Sequence, residues 1–468
     1  NVPYHPDYFA PVSLGGYEQG SFCMTMGYPG STSRYLSSFG IDERVNTDNA
    51  AMINVRTIKQ AIWKNAMEKS DDIRIKYASK YAQSSNYWKN SIGMNQAVKE
   101  LKVIEKKQAL ECQLQEWVRR EPDKRSKYAR VLTELELNYR NRRNAARAMA
   151  YFGETFANGP ELITAALAVL NFDFEAEESD LERNMRQLLE IYANMDISVD
   201  KQVFVAMLKE YATEVGKEFL PDVYSLIEKD FKGDYQAYVD DLYTRSSLKT
   251  PHGFEQVVRG DTTYVLFDDP AASFAIDMLV KFYEFNQSVE EASMNIEKNE
   301  RLLNEAMREM EADRVFYPDA NSTMRLSFGM VGGYSPKDAI EYSYFTTTKG
   351  IFDKIRQYKG DSDFDVLPSV VECLRRKDFG RYAGDGNMNV CFISDNDITG
   401  GNSGSGMFNG KGELIGLAFD GNWEAMSGDI VFEPNLQRCI GVDIRYVLYM
   451  IEKYGKASCL IDELKLKD

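Results

Sequence analysis

Residues 399–406 read Thr-Gly-Gly-Asn-Ser-Gly-Ser-Gly, a run of small residues around Ser403. Apolar segments with the length of strands flank it, Asn389 to Ile393 before and Leu414 to Phe419 after. A serine set between two such strands predicts a serine-nucleophile loop. A Gly/Ser-rich surface turn is the simpler interpretation of the run taken alone. The residues on the C-terminal side of the loop favour the nucleophile.

Two backbone N–H groups of this loop are candidate donors to a reaction intermediate. A serine hydroxyl attacks a carbonyl only when a base takes its proton and donors meet the oxyanion that forms. In the chymotrypsin-like arrangement the donors are the N–H groups of the serine and of the residue two positions before it. These correspond to Ser403 and Gly401. Glycine lets the backbone turn its N–H groups toward a substrate in conformations that a Cβ resists.

Composition sets the limits on class and partners. The 468 residues exceed one ordinary domain and predict two or three. Apolar residues make up 44%, too many for a disordered chain, and the net charge of −16 argues against nucleic acid or an anionic membrane as the main partner. No apolar run has the length of a membrane span and no signal peptide is visible, but the chain starts at Asn1, so its first residues do not report on export. The six cysteines are scattered, without the close pairs of a zinc site, so we expect no metal and no cofactor.

The periodicity of apolar residues changes twice along the chain. Gly20 to Gly27 reads as a strand that ends in a turn, and the region from about Asn46 to Asp313 is mostly helical. Apolar and other residues alternate from Met324 to Met330, which predicts a half-buried strand. Short strands and glycine turns follow to about Gly441, and a last helix from about Val442 to Tyr454 closes the chain.

This order of elements predicts an α+β protein. A sheet opened by Gly20 to Gly27 has too few residues to close before the helices begin, so the simplest arrangement is one β-barrel interrupted by a large all-helical insertion. We assign residues 1–30 to the start of the barrel and residues 31–318 to the inserted helical domain. Residues 319–468 then complete the barrel and carry the nucleophile and a C-terminal helix.

Asp420 directly follows the strand that ends at Phe419. In a chymotrypsin-like barrel this strand forms one wall of the pocket for the side chain before the cut, so residues at its end reach the substrate. A carboxylate at this place suits a positive group such as the free amino terminus of a peptide. The simpler alternative is an aspartate that caps the turn ahead of Gly421.

Several motifs, taken in order, resemble one known family. Thr399 to Asn409 with Gly412 to Glu424 is similar to the bacterial serine exopeptidase family of dipeptidyl-peptidases 7 and 11. The Gly-Asn-Ser-Gly core is only moderately specific, but the ordered set is highly specific and runs over essentially the whole chain. The supporting matches are Gly27-Tyr28-Pro29-Gly30, Ser85-Asn86-Tyr87-Trp88-Lys89-Asn90, Asp378-Phe379-Gly380-Arg381-Tyr382 and Gly441-Val442-Asp443-Ile444-Arg445-Tyr446-Val447.

The resemblance implies a double β-barrel of chymotrypsin type, in which the barrel of this chain is the second and carries the helical insertion. It implies an enzyme that removes dipeptides from the free amino end of peptides. It also implies a location in the bacterial periplasm or at the cell surface, and a homodimer. The helical domain is then expected to cap the cleft and to block longer amino-terminal extensions, which makes an exopeptidase out of this fold.

The resemblance also implies roles for single residues. Ser403 matches the family nucleophile, with Gly401 as the second oxyanion donor. Asp420 matches the acid that holds the amino group of the substrate. Asn86 matches an amide with the same task, although neighbouring Asn90 competes for that alignment.

Gly421 bears on specificity. The subgroup resembling dipeptidyl-peptidase 11 has an arginine at this place, which pairs with an acidic side chain of the substrate, whereas this chain has glycine. A pocket without that cation leaves a buried carboxylate unpaired, which is costly. We therefore expect an aliphatic or aromatic residue before the cut, as in the dipeptidyl-peptidase 7 subgroup. The alternative is that another residue fills the space that the glycine leaves.

One part of the family pattern is missing. The family base is a histidine followed by cysteine, and neither His5 nor His252, the two histidines of the sequence, matches it. We therefore expect this chain to lack the His/Asp half of the triad and the first barrel, and to be nearly inactive and less stable on its own. The alternatives are a catalytically dead protein that binds peptides and, more generically, a helical scaffold for protein assembly.

Overall fold

The computed structural model describes residues 4–172, 178–259, 263–383 and 386–468. The chain divides into two compact units. The strand unit consists of Asn1–Tyr35 and Val315–Asp468, and the helical unit consists of Leu36–Arg314.

The strand unit contains short strands and four short helices within the described residues. Its strands are β1 (Val12–Ser13), β2 (Phe22–Gly27), β3 (Arg325–Met330), β4 (Tyr334–Lys337), β5 (Ile340–Tyr342), β6 (Phe345–Thr347), β7 (Asn389–Ser394), β8 (Gly406–Phe408), β9 (Leu414–Gly421), β10 (Cys439–Asp443) and β11 (Leu466–Lys467). Its helices, numbered after those of the helical unit, are α15 (Thr348–Gln357), α16 (Pro368–Arg375), α17 (Ile444–Tyr449) and α18 (Ser458–Asp462).

The helical unit contains the remaining helices. They are α1 (Ser38–Glu43), α2 (Asn49–Met67), α3 (Asp71–Glu100), α4 (Val103–Arg120), α5 (Pro122–Tyr128), α6 (Val131–Phe152), α7 (Glu161–Leu170), α8 (Glu178–Ala193), α9 (Ile197–Glu214), α10 (Asp222–Phe231), α11 (Tyr235–Arg245), α12 (Pro251–Arg259), α13 (Thr263–Asp268) and α14 (Pro270–Met310). The helical region expected from about Asn46 to Asp313 is confirmed. In the described ranges, no helix combines the length and the apolar character needed to cross a membrane.

The main sheet of the strand unit returns on itself. Its strands follow the order β3-β2-β8-β9-β10-β7-β6, and each neighbouring pair in this path is antiparallel. Val331, directly after β3, forms an antiparallel bridge with Ser394 at the end of β7, and Gly332 N donates to Ile393 O at 3.1 Å. The six strands from β3 to β7 therefore form a ring with few unpaired edges. Its buried core contains Cys23, Val331, Phe392, Met407, Ile415, Ala418 and Cys439.

β3 is a strand, as its alternation predicts, but it buries the opposite side. Leu326, Phe328 and Met330 are 56%, 70% and 49% exposed. The inward positions belong to small residues such as Gly329, where a Cβ would lie 2.0 Å from Asp395 Oδ1. The predicted half-buried strand is therefore confirmed, with Leu326, Phe328 and Met330 on its more exposed side. A two-residue period indicates a strand, but it does not say which face the rest of the molecule covers.

Polar contacts inside the ring explain why small residues face inward. The side chain of Asn396 is buried, and its Nδ2 donates to Cys23 O and Thr25 Oγ1 at 3.2 Å and to Ser327 O at 3.3 Å. One amide thus joins the turn after β7 to both β2 and β3. These bonds offset part of the cost of burying the amide, although Asn396 Oδ1 is buried and accepts no hydrogen bond from the described residues.

The C-terminal part differs from the expected single closing helix. Val442 belongs to β10, and the helix begins at Ile444 because Asp443 accepts from Arg445 N at 2.8 Å and caps it. A π-helical turn at Met450–Tyr454, α18 and β11 follow, and β11 pairs with β1 in parallel. The predicted helix was thus two residues too long at its start and is not the last element.

A buried ion pair joins the two sequence segments of the strand unit. Arg34 Nη2 donates to Asp397 Oδ1 at 2.7 Å, and Arg34 Nη1 donates to the other oxygen of the same carboxylate. The Arg34 side chain is only 9% exposed, and its Nε donates to Gly428 O at 2.8 Å. The pair therefore holds the end of the first segment against the loop that precedes Ser403.

We expect Asp397→Asn to lower the free energy of unfolding by roughly 2–4 kcal/mol, because it leaves a buried guanidinium without its anion. The matched control is Glu372→Gln, which breaks the exposed pair with Arg376 (side chains 68% and 69% exposed) and should leave stability nearly unchanged, because solvent screens this pair. Urea unfolding of both variants measures the difference. Equal decreases in the free energy of unfolding would show that the Arg34–Asp397 pair stabilises the protein no more than an exposed ion pair does.

Candidate active site

The loop that carries Ser403 is held by the strand that comes after it. Gly404 N donates to Ala418 O at 2.7 Å, and Ala418 N donates to Ser405 O at 2.9 Å. Within the loop, Ser405 N donates to Asn402 O at 2.9 Å. These bonds extend the pairing of β8 with β9 back to the serine, so Ser403 sits beside the end of β9.

A second support comes from the turn after β2. Gly30 N donates to Gly400 O at 2.7 Å. Gly401 has φ +103°, and a Cβ there would lie 2.4 Å from Tyr28 O. Gly27 packs equally closely, since a Cβ on it would lie 2.2 Å from Ser405 Oγ. The sequence predicted a turn at Gly27–Gly30, and the structure shows that the serine loop packs against this turn.

Ser403 is exposed, and its surroundings suit a nucleophile. Its Oγ lies 3.4 Å from the carbonyl oxygen of Phe419, to which it donates a weak hydrogen bond. Within the described residues, neither Gly401 N–H nor Ser403 N–H donates a hydrogen bond, although Asn402 N, between them, donates to Thr399 O at 3.1 Å. The two predicted oxyanion donors are therefore available to a ligand.

Asn402 and Thr399 fix the shape of the loop, and sequence reasoning gave them no role. Asn402 is 5% exposed, and its Nδ2 donates to Thr399 O at 3.1 Å. The hydroxyl of Thr399 donates to the carboxylate of Asp429. The signal that indicates such a role is the buried polar side chain next to an exposed serine, which only coordinates reveal.

Asp420 lies at the exposed end of β9. β9 and β10 lose register between Ile440 and Gly441, which pair with Asp420 and Ala418, so that Phe419 is an extra residue. Such a bulge re-aims the side chains beside it, and both Phe419 and Asp420 are exposed. Asp420 Oδ1 accepts from Gly421 N at 2.8 Å, as the turn-capping alternative expects. Its other oxygen accepts no hydrogen bond from the described part of the chain.

The space beside Gly421 is partly filled. A Cβ on Gly421 would lie 2.9 Å from Ala425 Cβ and 3.9 Å from Met426 Cε, both in the 3₁₀ turn Trp423–Ser427. Glycine is thus required for close packing and is not simply an opening in the wall. The rings of Phe419 and Trp423 are each 46% exposed on either side of Asp420 and Gly421. The neighbourhood of Asp420 is therefore largely apolar.

The other predicted residues lie elsewhere. Asn86 and Asn90 are on α3 of the helical unit, where Asn86 is exposed and Asn90 is half-buried. His5 and His252 are both exposed, and neither forms a hydrogen bond with Ser403. Burial raises the pKa of the Cys23 thiol to about 12, so this thiol inside the ring is not a competing nucleophile.

Comparison with known proteins gives concordant matches. The family model described as Peptidase S46 matches residues 1–466. Dipeptidyl-peptidase 7 of Porphyromonas endodontalis is 45% identical over all of this chain and 57% of its own length. Dipeptidyl-peptidase 7 of Porphyromonas gingivalis is 42% identical over 65% of its length, and the Asp/Glu-specific dipeptidyl-peptidase of the same organism is 36% identical over 65%. This chain thus spans less than two thirds of these relatives.

A solved structure has the same fold. DPP11 of Porphyromonas endodontalis in complex with the dipeptide Arg-Glu matches with a TM-score of 0.87 and 28% sequence identity. The match covers 100% of this chain and 67% of that chain.

Substitutions at two glycines with positive φ distinguish the cost of a steric clash from the cost of backbone strain. Gly401 (φ +103°) is packed against Tyr28 O, whereas Gly404 (φ +87°) has no atom within 4 Å of a Cβ. We expect Gly404→Ala to cost about 1–2 kcal/mol from backbone strain alone. Gly401→Ala should cost roughly 3–5 kcal/mol, because the turn after β2 must also move. Chemical unfolding of both variants tests this, and a Gly404→Ala loss as large as that of Gly401→Ala would contradict the packing account.

Proposed function

The chain belongs to the peptidase S46 family, and on this premise we propose that it acts as a serine dipeptidyl-peptidase, which releases dipeptides from the free amino terminus of peptides. The observation that carries the proposal is the exposed Ser403 beside two N–H groups, those of Gly401 and Ser403, that no described residue occupies. Mere peptide binding does not require that arrangement.

The proposed fold is of the chymotrypsin type. We assign the ring from β3 to β7 to the second barrel of a double barrel, interrupted by the helical unit between β2 and β3. The apolar outer face of β2 and β3 supports this assignment, because Phe22, Leu326 and Phe328 are exposed on it and Phe22 stacks on Phe328 at 6.4 Å. Contiguous apolar surface of this kind marks a face that packs against other protein.

Ser403 is proposed to attack the carbonyl carbon of the second residue of the substrate. The Oγ–C bond forms while the hydroxyl proton passes to a general base, and the carbonyl oxygen becomes an oxyanion that accepts from Gly401 N–H and Ser403 N–H. Collapse of this intermediate breaks the peptide bond and releases the shortened peptide as an amine. Water then hydrolyses the acyl-enzyme and releases the dipeptide. The proposal leaves the general base unassigned in this chain.

Asp420 is proposed to hold the amino terminus of the substrate, together with Asn86 or Asn90. Ser403 Oγ contacts the carbonyl oxygen of Phe419. Asp420 is the next residue along β9, so its backbone lies close to the proposed nucleophile. An ammonium held by a carboxylate limits how far the substrate extends before the cut, and a dipeptide in extended form spans only about 7 Å. The free oxygen of Asp420 is the acceptor that this role requires.

The proposed preference is for an apolar residue before the cut. Phe419, Trp423 and Met426 surround Gly421 with apolar atoms. Arg438 lies near Gly421, and its carbonyl oxygen is 3.9 Å from the position of a Cβ on that glycine. The Arg438 guanidinium donates to backbone carbonyls at 2.7–3.2 Å. Because Arg438 Nε is buried and has no hydrogen-bond partner among the described residues, the proposed preference rests on the apolar atoms around Gly421 and not on the absence of a cation.

The remaining parts of the proposal concern the setting of the enzyme. We assign it to the periplasm or the bacterial surface, where peptides are the substrates, and we assign it a homodimeric state. Both follow from the family resemblance.

The role of Ser403 is tested with a fluorophosphonate probe and a dipeptidyl reporter, in a preparation of the protein that releases dipeptides. We expect Ser403→Ala to abolish labelling and to lower kcat by about 10⁶, down to the background rate. Ser405→Ala, two residues away in the same loop, should keep labelling and activity within about threefold, because its hydroxyl has no chemical step to perform.

Labelling that survives in Ser403→Ala would refute the assignment. If the protein, tested at the full length of its relatives, binds peptides with a free amino terminus yet takes no label and releases no dipeptide, the catalytically dead binding protein is established instead.

Specificity is tested at Gly421. We expect kcat/KM for Leu, Met or Phe before the cut to exceed that for Asp or Glu by at least about tenfold. Gly421→Arg alone should be destabilised, since its Cβ meets Ala425 Cβ at 2.9 Å. Gly421→Arg with Ala425→Gly should fold and shift the preference toward Asp and Glu, while Ala425→Gly alone keeps it. A higher kcat/KM for acidic residues in the unsubstituted protein would overturn the preference.

A further inference from the structure

The residues on either side of Asn86 are tied to the neighbouring helix, whereas Asn86 itself is exposed. Gln60 Nε2 of α2 donates to Ser84 Oγ at 2.9 Å. On the other side, Trp88 Nε1 donates to Thr57 Oγ1 of α2 at 2.9 Å. The side chain of Asn86 makes no hydrogen bond with any described residue, and it projects from the part of α3 that these bonds fix.

Arg56 makes the most extensive contact with this part of α3. Its Nη1 donates to Ser84 O at 3.3 Å, and its guanidinium carbon lies 5.4 Å from the centre of the Tyr87 ring. One cation therefore touches the residue two before Asn86 and the residue directly after it. A guanidinium on an aromatic face is held by electrostatic attraction and by its planar shape.

Glu154 fixes Arg56 in this orientation. Arg56 Nε and Nη2 donate to the two oxygens of Glu154 at 2.8 and 2.9 Å, and the two side chains are only 12% and 11% exposed. Glu154 lies in the π-helical turn Gly153–Ala157 that follows α6. Such a turn changes the direction of its side chains relative to a regular α-helix, and it is frequent near functional sites.

A buried pair of this kind is weak evidence for stability. Taking both charges out of water offsets much of their attraction, and apolar side chains of the same size commonly stabilise as well. What the paired guanidinium offers in addition is direction, because its five donors have a fixed planar geometry. Here those donors reach the carboxylate and the backbone of α3 together.

We propose that Arg56, oriented by Glu154, is a positioning residue for the Asn86 carboxamide, which binds the ammonium group of the substrate. The inference rests on the proposed function and assigns the amine-binding role to Asn86 rather than Asn90. Asn90 is half-buried and already has a contact of its own. Arg56 does not touch the substrate. It keeps the Ser84–Trp88 segment at the distance from α2 at which the amide is aligned, and binding groups act only when they are held within about 0.5 Å of the productive geometry.

The first experiment compares Arg56→Gln with Arg142→Gln. Arg142 is a matched control, because it also makes a two-bonded pair with a glutamate, Glu43, and a third bond to Ser293 Oγ at 3.0 Å, with side chains 19% and 16% exposed. Both variants should lose stability to a similar degree. Only Arg56→Gln should raise KM for a dipeptidyl reporter such as Ala-Leu-p-nitroanilide, by about tenfold with kcat within about twofold, as expected for a weakened hydrogen bond to a charged group.

A double-substitution cycle separates positioning from general damage. If Arg56 acts through Asn86, Arg56→Gln combined with Asn86→Ala should raise KM no more than Asn86→Ala alone. Arg56→Lys should recover little, since an ammonium cannot make the same planar contacts. Asn90→Ala should leave KM within about twofold. KM effects that multiply in the double variant, or an equal KM increase in Arg142→Gln, would overturn the proposal.

A binding measurement distinguishes this inference from the proposed chemistry. In a Ser403→Ala background, calorimetric titration with the dipeptide Ala-Leu should give a Kd about tenfold higher when Arg56→Gln is added. Hydrogen exchange of residues 84–90 should increase in Arg56→Gln and stay unchanged in Arg142→Gln. A protein tested at the full length of its relatives that binds Ala-Leu but releases no dipeptides would contradict the proposed function. If the Kd for Ala-Leu and the hydrogen exchange of residues 84–90 are both unchanged in Arg56→Gln, the proposed role of Arg56 is refuted.

Discussion

The close approach of the Tyr28 carbonyl to Gly401 is the constraint on which the site depends. A Cβ at residue 401 would lie 2.4 Å from that oxygen, and Gly30 N donates to Gly400 O at 2.7 Å. The loop therefore adopts a backbone that side chains rarely allow, with φ +103° at Gly401. Because Asn402 N bonds within the loop, the N–H groups on either side of it are left for a ligand. Close packing of two glycine turns, from opposite ends of the sequence, thus leaves the N–H groups of Gly401 and Ser403 without an acceptor among the described residues.

The same ring explains how the acid comes close to the nucleophile. β9 has a bulge at Phe419, between its pairs Ala418–Gly441 and Asp420–Ile440 with β10, and both Phe419 and Asp420 are exposed beside it. The hydroxyl of Ser403 contacts the carbonyl of Phe419. The place of Asp420 relative to Ser403 therefore depends on β9 and on the hydrogen bonds that hold the Ser403 loop to Ala418. A fixed separation of this kind suits an enzyme that measures its substrate from a free amino terminus.

The helical unit achieves precision differently, with polar side chains placed between helices. The contacts of Arg56, Thr57 and Gln60 with α3 lie along one side of α2, and Glu154 supplies the balancing charge from a π-helical turn. Apolar packing alone permits small sliding of one helix past another, whereas directional bonds allow one register. The side chain with no such bond, Asn86, lies between them and is presented to solvent.

The sequence alone determined the class of elements, the order of strand, helical insertion and strands, and the turn between two strands that carries Ser403, because periodicity and short motifs are local properties. The roles of Ser403 and Gly421 stay predictions. Only the tertiary structure decided which side of β3 is buried, since the two faces of a strand are distinguished by what covers them. Likewise, no local pattern places Ala425 against Gly421 or Arg56 against Ser84, because these residues meet only after the chain has folded. Contacts between segments that are distant in sequence determine the exact positions of the side chains in each site, and periodicity does not encode these contacts.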